Sequence, residues 1–573
     1  SEHERRGLKK EYRIKGDWLR GSNMKRSLLV QAVLLLGVLP PCSRGDLPGA
    51  GPNMNGEYLL SQTPGAKDTK LRFPKQFQDY PRGAKFFDVY SPSITSLYSQ
   101  VFWKGLPPVD LPREVVQAFD GKGMAVIGFE VDQVRKTADG DIPLPLTVAY
   151  NHHFETTMVG KRADFEHVHC TGPDDSRLQA LLHGGMGHGV PSTMEHWMVR
   201  QSSHGNVPVA QAFGGANGGE FRKSFHGYAP GFAQVIESPT KIQITPMQID
   251  TWNRDAMNLT HPAPFVAGPL PRASLAPETA EYSGLLECPV TTRVHKELDG
   301  ATTQPFGTVK GNLRYRRTNQ SVDVGSSATI RFNNACPPKP RSDLLQMQNP
   351  TCDLRTYSGG QLACQHMWSL LDEDQEIPWI DRPLTYHLKF RFWVQEYDPK
   401  YHKQLSRTTW GLASPVEYDV PKCSQSVLGC SQRSDGTWVH TISGTFAAEG
   451  QLVAAHFHCH APTCLSVSLY RCPKHAKVCN EHTGQLLCLE EPVYGGKGYS
   501  PVHFDEPGYI LQPPCLWGDA EFGLEAPPSL SGYVLGGVKT ANATAGHHGE
   551  MAWLQVFTVP EKNSSLDDAE YIV

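Results

Sequence analysis

Apolar and polar side chains alternate in short runs along this chain, and the period of two predicts strands rather than helices. Leu384-Thr385-Tyr386-His387-Leu388-Lys389-Phe390-Arg391-Phe392-Trp393-Val394 holds the alternation longest. Strands are predicted at Ala125–Val131, Leu144–Tyr150, Lys241–Thr245, Met247–Asp250, Gln451–His458, Leu465–Tyr470 and Met551–Phe557. Turn-forming residues separate these runs at short intervals. The expected fold is therefore all-β: two jelly-roll-like β-sandwich domains with long loops, stapled by disulfides. No short internal repeat is evident.

Stretches that break the pattern set the domain limits. Residues 46–84 are rich in Gly, Pro and polar residues and read as an extended leading segment. Residues 165–235, dense in Gly, His and Met, read as a long loop insertion in the first domain, 85–290. Pro-rich sequence over 262–290 separates it from the second, cysteine-rich domain, 291–573. The 53 Gly and 45 Pro fit many turns and few long helices.

One apolar run has a different meaning. Met24-Lys25-Arg26 precedes Ser27–Leu39, which ends at Pro40-Pro41 with small residues after it. A basic start, a short apolar stretch and a helix breaker describe a signal peptide over 24–45, with residues 1–23 as leader sequence. No later segment has the apolar length of a membrane span. A secreted or secretory-lumen protein is expected, and two features agree. Of 14 cysteines only Cys42 lies in the signal, so the rest meet an oxidising compartment; their odd number leaves one free, metal-bound or intermolecular. N-x-S/T sequons stand at Asn258, Asn319, Asn542 and Asn563. The net charge of −4 argues against nucleic acid or an anionic membrane as partner.

Three histidine groups carry candidate chemistry. His152-His153 stands at the end of a predicted strand, where neighbours point to opposite faces, so both can serve one metal only if the strand ends or twists there. His456-Phe457-His458-Cys459-His460 puts three imidazoles on one strand face. A core would waste them, because each ring has two nitrogens to satisfy; a metal satisfies several at once. A solvated or pH-sensitive histidine face is the simpler alternative. Gly546-His547-His548-Gly549-Glu550-Met551 adds a thioether, a soft ligand suited to Cu(I). No H-E-x-x-H motif, Walker loop or nucleophile elbow is present, and Cys423 and Cys430 lack zinc-ribbon spacing.

In order along the chain, Leu146–His153, Gly359–Cys364, Val416–Val420, Ala455–His458, Gln485–Cys488 and Gly546–Met551 resemble the stress up-regulated nodulin family, from about residue 120 to 558. More distantly, the chain resembles the copper type II, ascorbate-dependent monooxygenases of the peptidylglycine α-hydroxylating and dopamine β type. That resemblance implies two coppers. His152 and His153 match an electron-delivery site, while His456, His458 and Met551 match the site that binds dioxygen. It also implies ascorbate as reductant and a peptide or small-molecule substrate.

The chain departs from this pattern at Met247, which stands where the first site's third histidine belongs. Met247 is a substitute ligand, or His167 or His169 completes the site, or the site is lost. His460 and Cys459 exceed the pattern and would favour zinc; His547 is a further candidate ligand. Three readings follow: a copper monooxygenase, a non-catalytic secreted metal-binding or cell-surface protein, and a glycan- or partner-binding β-sandwich with incidental histidines.

Overall fold

The structure is a computed structural model. It describes residues 80–169, 195–201, 205–216, 225–259, 322–323, 329–330, 378–412, 417–420, 423–426, 429–460, 463–494, 510–512, 514–544 and 547–561. The leader, the signal peptide, the leading segment through 79, Asn319 and Asn563 lie outside the described residues. The fold is all-β, with one short α-helix, Arg113–Ala118, among the described residues. No helix among them is long and apolar enough to cross a membrane.

Two sandwiches account for most strands. In the first, Gly123–Thr137 lies between Leu384–Glu396 and Phe232–Glu237, and Lys85–Tyr90 extends the sheet beyond Leu384–Glu396. The opposing sheet runs Ala210–Ala216, Ala149–Gly160, Pro239–Asp250, Val101–Trp103. Leu384, Tyr386, Leu388, Phe390, Phe392 and Val394 all enter the core between these sheets, as their alternation predicts. On the opposite face, buried Arg391 pairs with its cross-strand neighbour Asp88 through two hydrogen bonds of 2.7 and 2.9 Å. Leu384–Glu396 lies beyond the boundary expected near 290, yet it pairs with Lys85–Tyr90 and Gly123–Thr137. The first sandwich thus draws strands from both sides of that boundary.

The second sandwich packs the sheet Ser406–Gly411, His547–Val559, Gln451–Cys459, Cys515–Leu516 against Cys430–Gln432, Trp438–Phe446, Tyr533–Asn542, Cys464–Pro473, Gln485–Glu490. Leu452, Phe457, Val467, Leu469, Leu554 and Val556 contribute to its core. Among the described residues four disulfides staple it: Cys423–Cys430, Cys459–Cys464, Cys472–Cys479 and Cys488–Cys515. The Cys423 and Cys430 pair that had no zinc spacing is therefore a structural bridge.

Two expectations change. The sequence from Leu144 to Val148 is a turn, and the strand begins at Ala149. Pro145 accounts for this: its carbonyl accepts from the backbone N–H of Val148 and Ala149, closing a turn where alternation suggested a strand. The stretch 165–235, expected as a loop insertion, contributes Ala210–Ala216, Phe225–Gly227 and Phe232–Glu237 to the two sheets. Gly and Ala within Ala210–Ala216 hide the strand pattern, because they supply no apolar alternation. Its backbone nonetheless pairs residue for residue with Val159–His153.

Candidate metal centre

The adjacent histidines share a face because the strand carrying them bulges. In Ala149–Gly160, Met247 of the neighbouring strand pairs with His153 while Gln248 pairs with Asn151, so His152 has no register partner. Such an extra residue turns two consecutive side chains toward one side. Ala149 before the bulge and Phe154 after it both enter the first core. His152, by contrast, meets rings of the second sandwich, and Glu155 pairs with Arg407 there at 2.6 Å. The Gln248 side-chain amide donates to Asn151 Oδ1 at 2.5 Å and spans the irregularity. Farther along the same neighbouring strand, buried Asp250 is held by Arg254 through two bonds of 2.7 Å. Burial pushes the Asp250 carboxyl up, against the lowering effect of Arg254.

Gln451–Cys459 supplies the other half. Phe457 and Cys459 point into the second core, and His456 and His458 therefore occupy the opposite face. That face abuts the first sandwich: Val453 and Ala454 pack with Ala125, Ile127 and Trp393 in a core cluster joining the two sandwiches. His460 lies just past the strand end, in a turn closed by the Cys459–Cys464 disulfide. Cys459 is consequently a bridge sulfur, not the thiolate ligand that would favour zinc.

The histidines expected in two separate sites meet across the join. The ring centre of His152 lies 4.8 Å from that of His460 and 6.2 Å from that of His458, and His458 and His460 are 5.3 Å apart. His153 is 5.2 Å from His152. Met551 Sδ stands 3.2 Å from His458 Nε2. None of His152, His153, His456, His458 and His460 exceeds 5% exposure. His456, expected beside His458 and Met551, turns toward His226, with ring centres 5.0 Å apart.

His226 was not among the sequence candidates, because its three-residue strand lay in the presumed insertion. It stacks on Phe129, and burial, aided by His456 and Arg407, holds its imidazole well below the usual histidine range.

A buried ion pair positions the thioether. Glu550 and Lys539 pair with no side-chain exposure. Glu550 Oε1 also accepts from the backbone N–H of His460 at 2.7 Å and of Met551 at 3.0 Å. Glu550 Oε2 accepts from the Thr463 hydroxyl, and Lys539 also donates to the Met551 carbonyl. One carboxylate thereby ties the strand carrying Met551 to the turn carrying His460.

The remaining candidates divide. Met247, fully buried, is the cross-strand partner of His153 and so shares its face. His167 is exposed, against Trp197 on the ribbon formed by Ala163–His169 and Glu195–Gln201. The side chains of His169 and His547 lie outside what is described. Asn258 is exposed and Asn542 half-buried.

The donor set suits a soft ion. Two imidazoles on one tetrahedral ion have ring centres about 5 Å apart, given metal–nitrogen bonds of about 2 Å, and the observed spacings bracket that value. Among the described residues no three His, Cys, Asp or Glu side chains already converge on one point.

No protein-family model matches the chain, and no curated protein does. Among solved structures, infectious bursal disease virus Gt strain aligns over 84% of this chain and 72% of its own, at 8% identity and a TM-score of 0.16. A score that low carries no argument about fold or function.

Proposed function

We propose that this is a secreted copper-binding protein of the ascorbate-dependent monooxygenase type, acting on a peptide or small molecule. The observation carrying this reading is the buried contact of His458 with Met551 beside two further imidazoles, His152 and His460. Imidazole with thioether is a ligand set that accepts Cu(I) and tolerates Cu(II). Bound copper would supply one-electron chemistry, with ascorbate as reductant and dioxygen as oxidant. The residues of the chain hold the donors, exclude water and, through Glu550 and Lys539, fix the backbone on which His460 and Met551 ride.

A second reading, a non-catalytic metal-binding or cell-surface protein of the stress up-regulated nodulin type, is favoured by two observations. The imidazoles are almost wholly buried, whereas catalytic centres keep a position open. Met247 also stands where the resemblance implies a histidine of the first set.

The test is copper content and ascorbate-driven oxygen uptake of the protein from a secretory host, beside a His458→Ala variant. Bound copper with turnover supports the enzyme, and copper without turnover moves the assignment to the second reading. Equal metal content in both proteins sinks the assignment of the site. Secretion has its own check: a glycosidase-sensitive mass at exposed Asn258, lost in Asn258→Gln.

A further inference from the structure

We infer that His402 is the pin of an acid-sensitive latch, which holds the turn at residues 80–83 onto the first sandwich at neutral pH and releases it when the imidazole takes a second proton. His402 is not among the histidines of the candidate metal centre, and the latch needs no metal.

Hydrogen bonds fix the protonation state of the ring. The backbone N–H of Asp398 donates to His402 Nδ1 at 3.0 Å, so that nitrogen carries no proton. The hydrogen of the neutral ring is therefore on Nε2, which donates to Gln395 Oε1 at 2.8 Å. With Oε1 engaged, the Gln395 amide directs its own N–H groups to the turn. They donate to the carbonyl of Pro81 at 2.8 Å and to that of Gly83. His402 and Gln395 are both buried. A bond lost in this relay is not readily replaced by water.

The turn depends on this relay. Arg82 lies at φ 70°, which a non-glycine residue keeps only where its surroundings hold it. Its ion pair with Asp398, at 2.9 Å, is solvent-exposed and weak. Tyr80 is anchored separately, packing with Phe86 and Trp393 and donating its hydroxyl to the Tyr228 carbonyl at 3.1 Å. The part of the turn held by Gln395 is thus Pro81 to Gly83, at the entry to Lys85–Tyr90.

A proton on Nδ1 removes the acceptor of the Asp398 N–H and sets two donors against each other. The ring then turns or leaves, and Gln395 loses the partner that orients it. Two charged groups face the ring: the Arg82 guanidinium opposes its protonation and the Asp398 carboxylate favours it. The rings of Tyr397 and Tyr401, 6.0 and 4.8 Å from it, stay neutral at these pH values. Burial and Arg82 prevail and hold the imidazole below its usual range. Opening restores its ordinary affinity for protons. Below about pH 6.5 the open form therefore binds more protons and gains population as pH falls.

The experiment is hydrogen-exchange mass spectrometry of the full chain from about pH 7.5 to about pH 5, corrected for the intrinsic pH dependence of exchange, on the parent and His402→Gln. Opening linked to one proton predicts that protection in peptides containing residues 80–83 and 398–402 falls by up to about tenfold per pH unit below about pH 6.5. Gly123–Thr137 should keep its protection. In His402→Gln both peptides should give a flat profile, whatever its level, because the titrating group is gone. A flat profile in the parent, an unaltered fall in His402→Gln, or an equal fall in Gly123–Thr137 would overturn the latch. Where His402→Gln does not fold, nitrogen-15 resonances of the parent's imidazoles decide. The latch requires the neutral ring of His402 to carry its proton on Nε2; a proton on Nδ1, or titration in the ordinary histidine range, overturns it.

Discussion

Met551 and Glu550 are neighbours in the chain with opposite tasks. Met551 places its sulfur against His458, where the proposed copper would take it as a donor; Glu550 is buried and holds the scaffold. Met551→Leu conserves volume and removes only the donor, so we expect an unchanged fold and Cu(I) affinity reduced by about tenfold, read by chelator competition. Glu550→Ala strands the ammonium of Lys539 where neither side chain had any exposure. Breaking such a pair costs about 3–5 kcal/mol, to be measured by urea unfolding of the metal-free protein. A Glu550→Gln/Lys539→Met double variant should recover much of that loss, because no buried charge is left unpaired. The His-x-His pattern was legible in the sequence because a period of two is local. The role of Glu550 was not, since its partners Lys539, His460 and Thr463 are brought to it by strand pairing.

Individual strands explain how the imidazoles come to face each other. Adjacent histidines on a regular strand diverge, and a single bulge opposite Met247 removes that obstacle. The sequence posed the question of whether the strand twists there; pairing with Pro239–Asp250 answers it. The turn after Gln451–Cys459 is equally specific. Replacing Cys459 and Cys464 together by Ser should release His460 from its closed turn. We expect a stability loss on the order of 2 kcal/mol and weaker copper binding, with the other three described disulfides intact by mass mapping. Parental copper affinity in that variant would mean that His460 is not a ligand. Long alternating strands such as Leu384–Glu396 were readable outright. Ala210–Ala216 was not, because a strand of small residues is recognised by its hydrogen-bonded neighbour rather than by its own pattern.

Across the whole molecule, buried His402 and half-buried His440, away from the proposed centre, should make stability depend on pH. Burial, aided by Arg82 for His402 and by Lys539 for His440, holds both imidazoles below their usual range. In the unfolded chain each takes a proton near pH 6.5, and in the folded chain only at lower pH. Between those values the unfolded state binds more protons, so this contribution is complete above about pH 6.5 and is lost as pH falls. The melting temperature of metal-free protein should therefore drop on acidification from about pH 7.5 to about pH 5. His402→Gln/His440→Gln should flatten that drop, and an unaltered slope would exclude these groups as its source.

The pattern of side chains by itself determined that the chain folds as β-strands, which cysteine-rich stretch would be bridged, and where imidazoles would be concentrated. Those are properties of local period and composition. The pairing of Leu384–Glu396 with the first sandwich, the turning of His456 to His226, and the meeting of His152 with His458 and His460 were decided by the packed structure. The physical reason is that a strand's period states which face a side chain occupies, while the opposing surface depends on burying apolar faces such as Ala125, Ile127 and Trp393 against Val453 and Ala454.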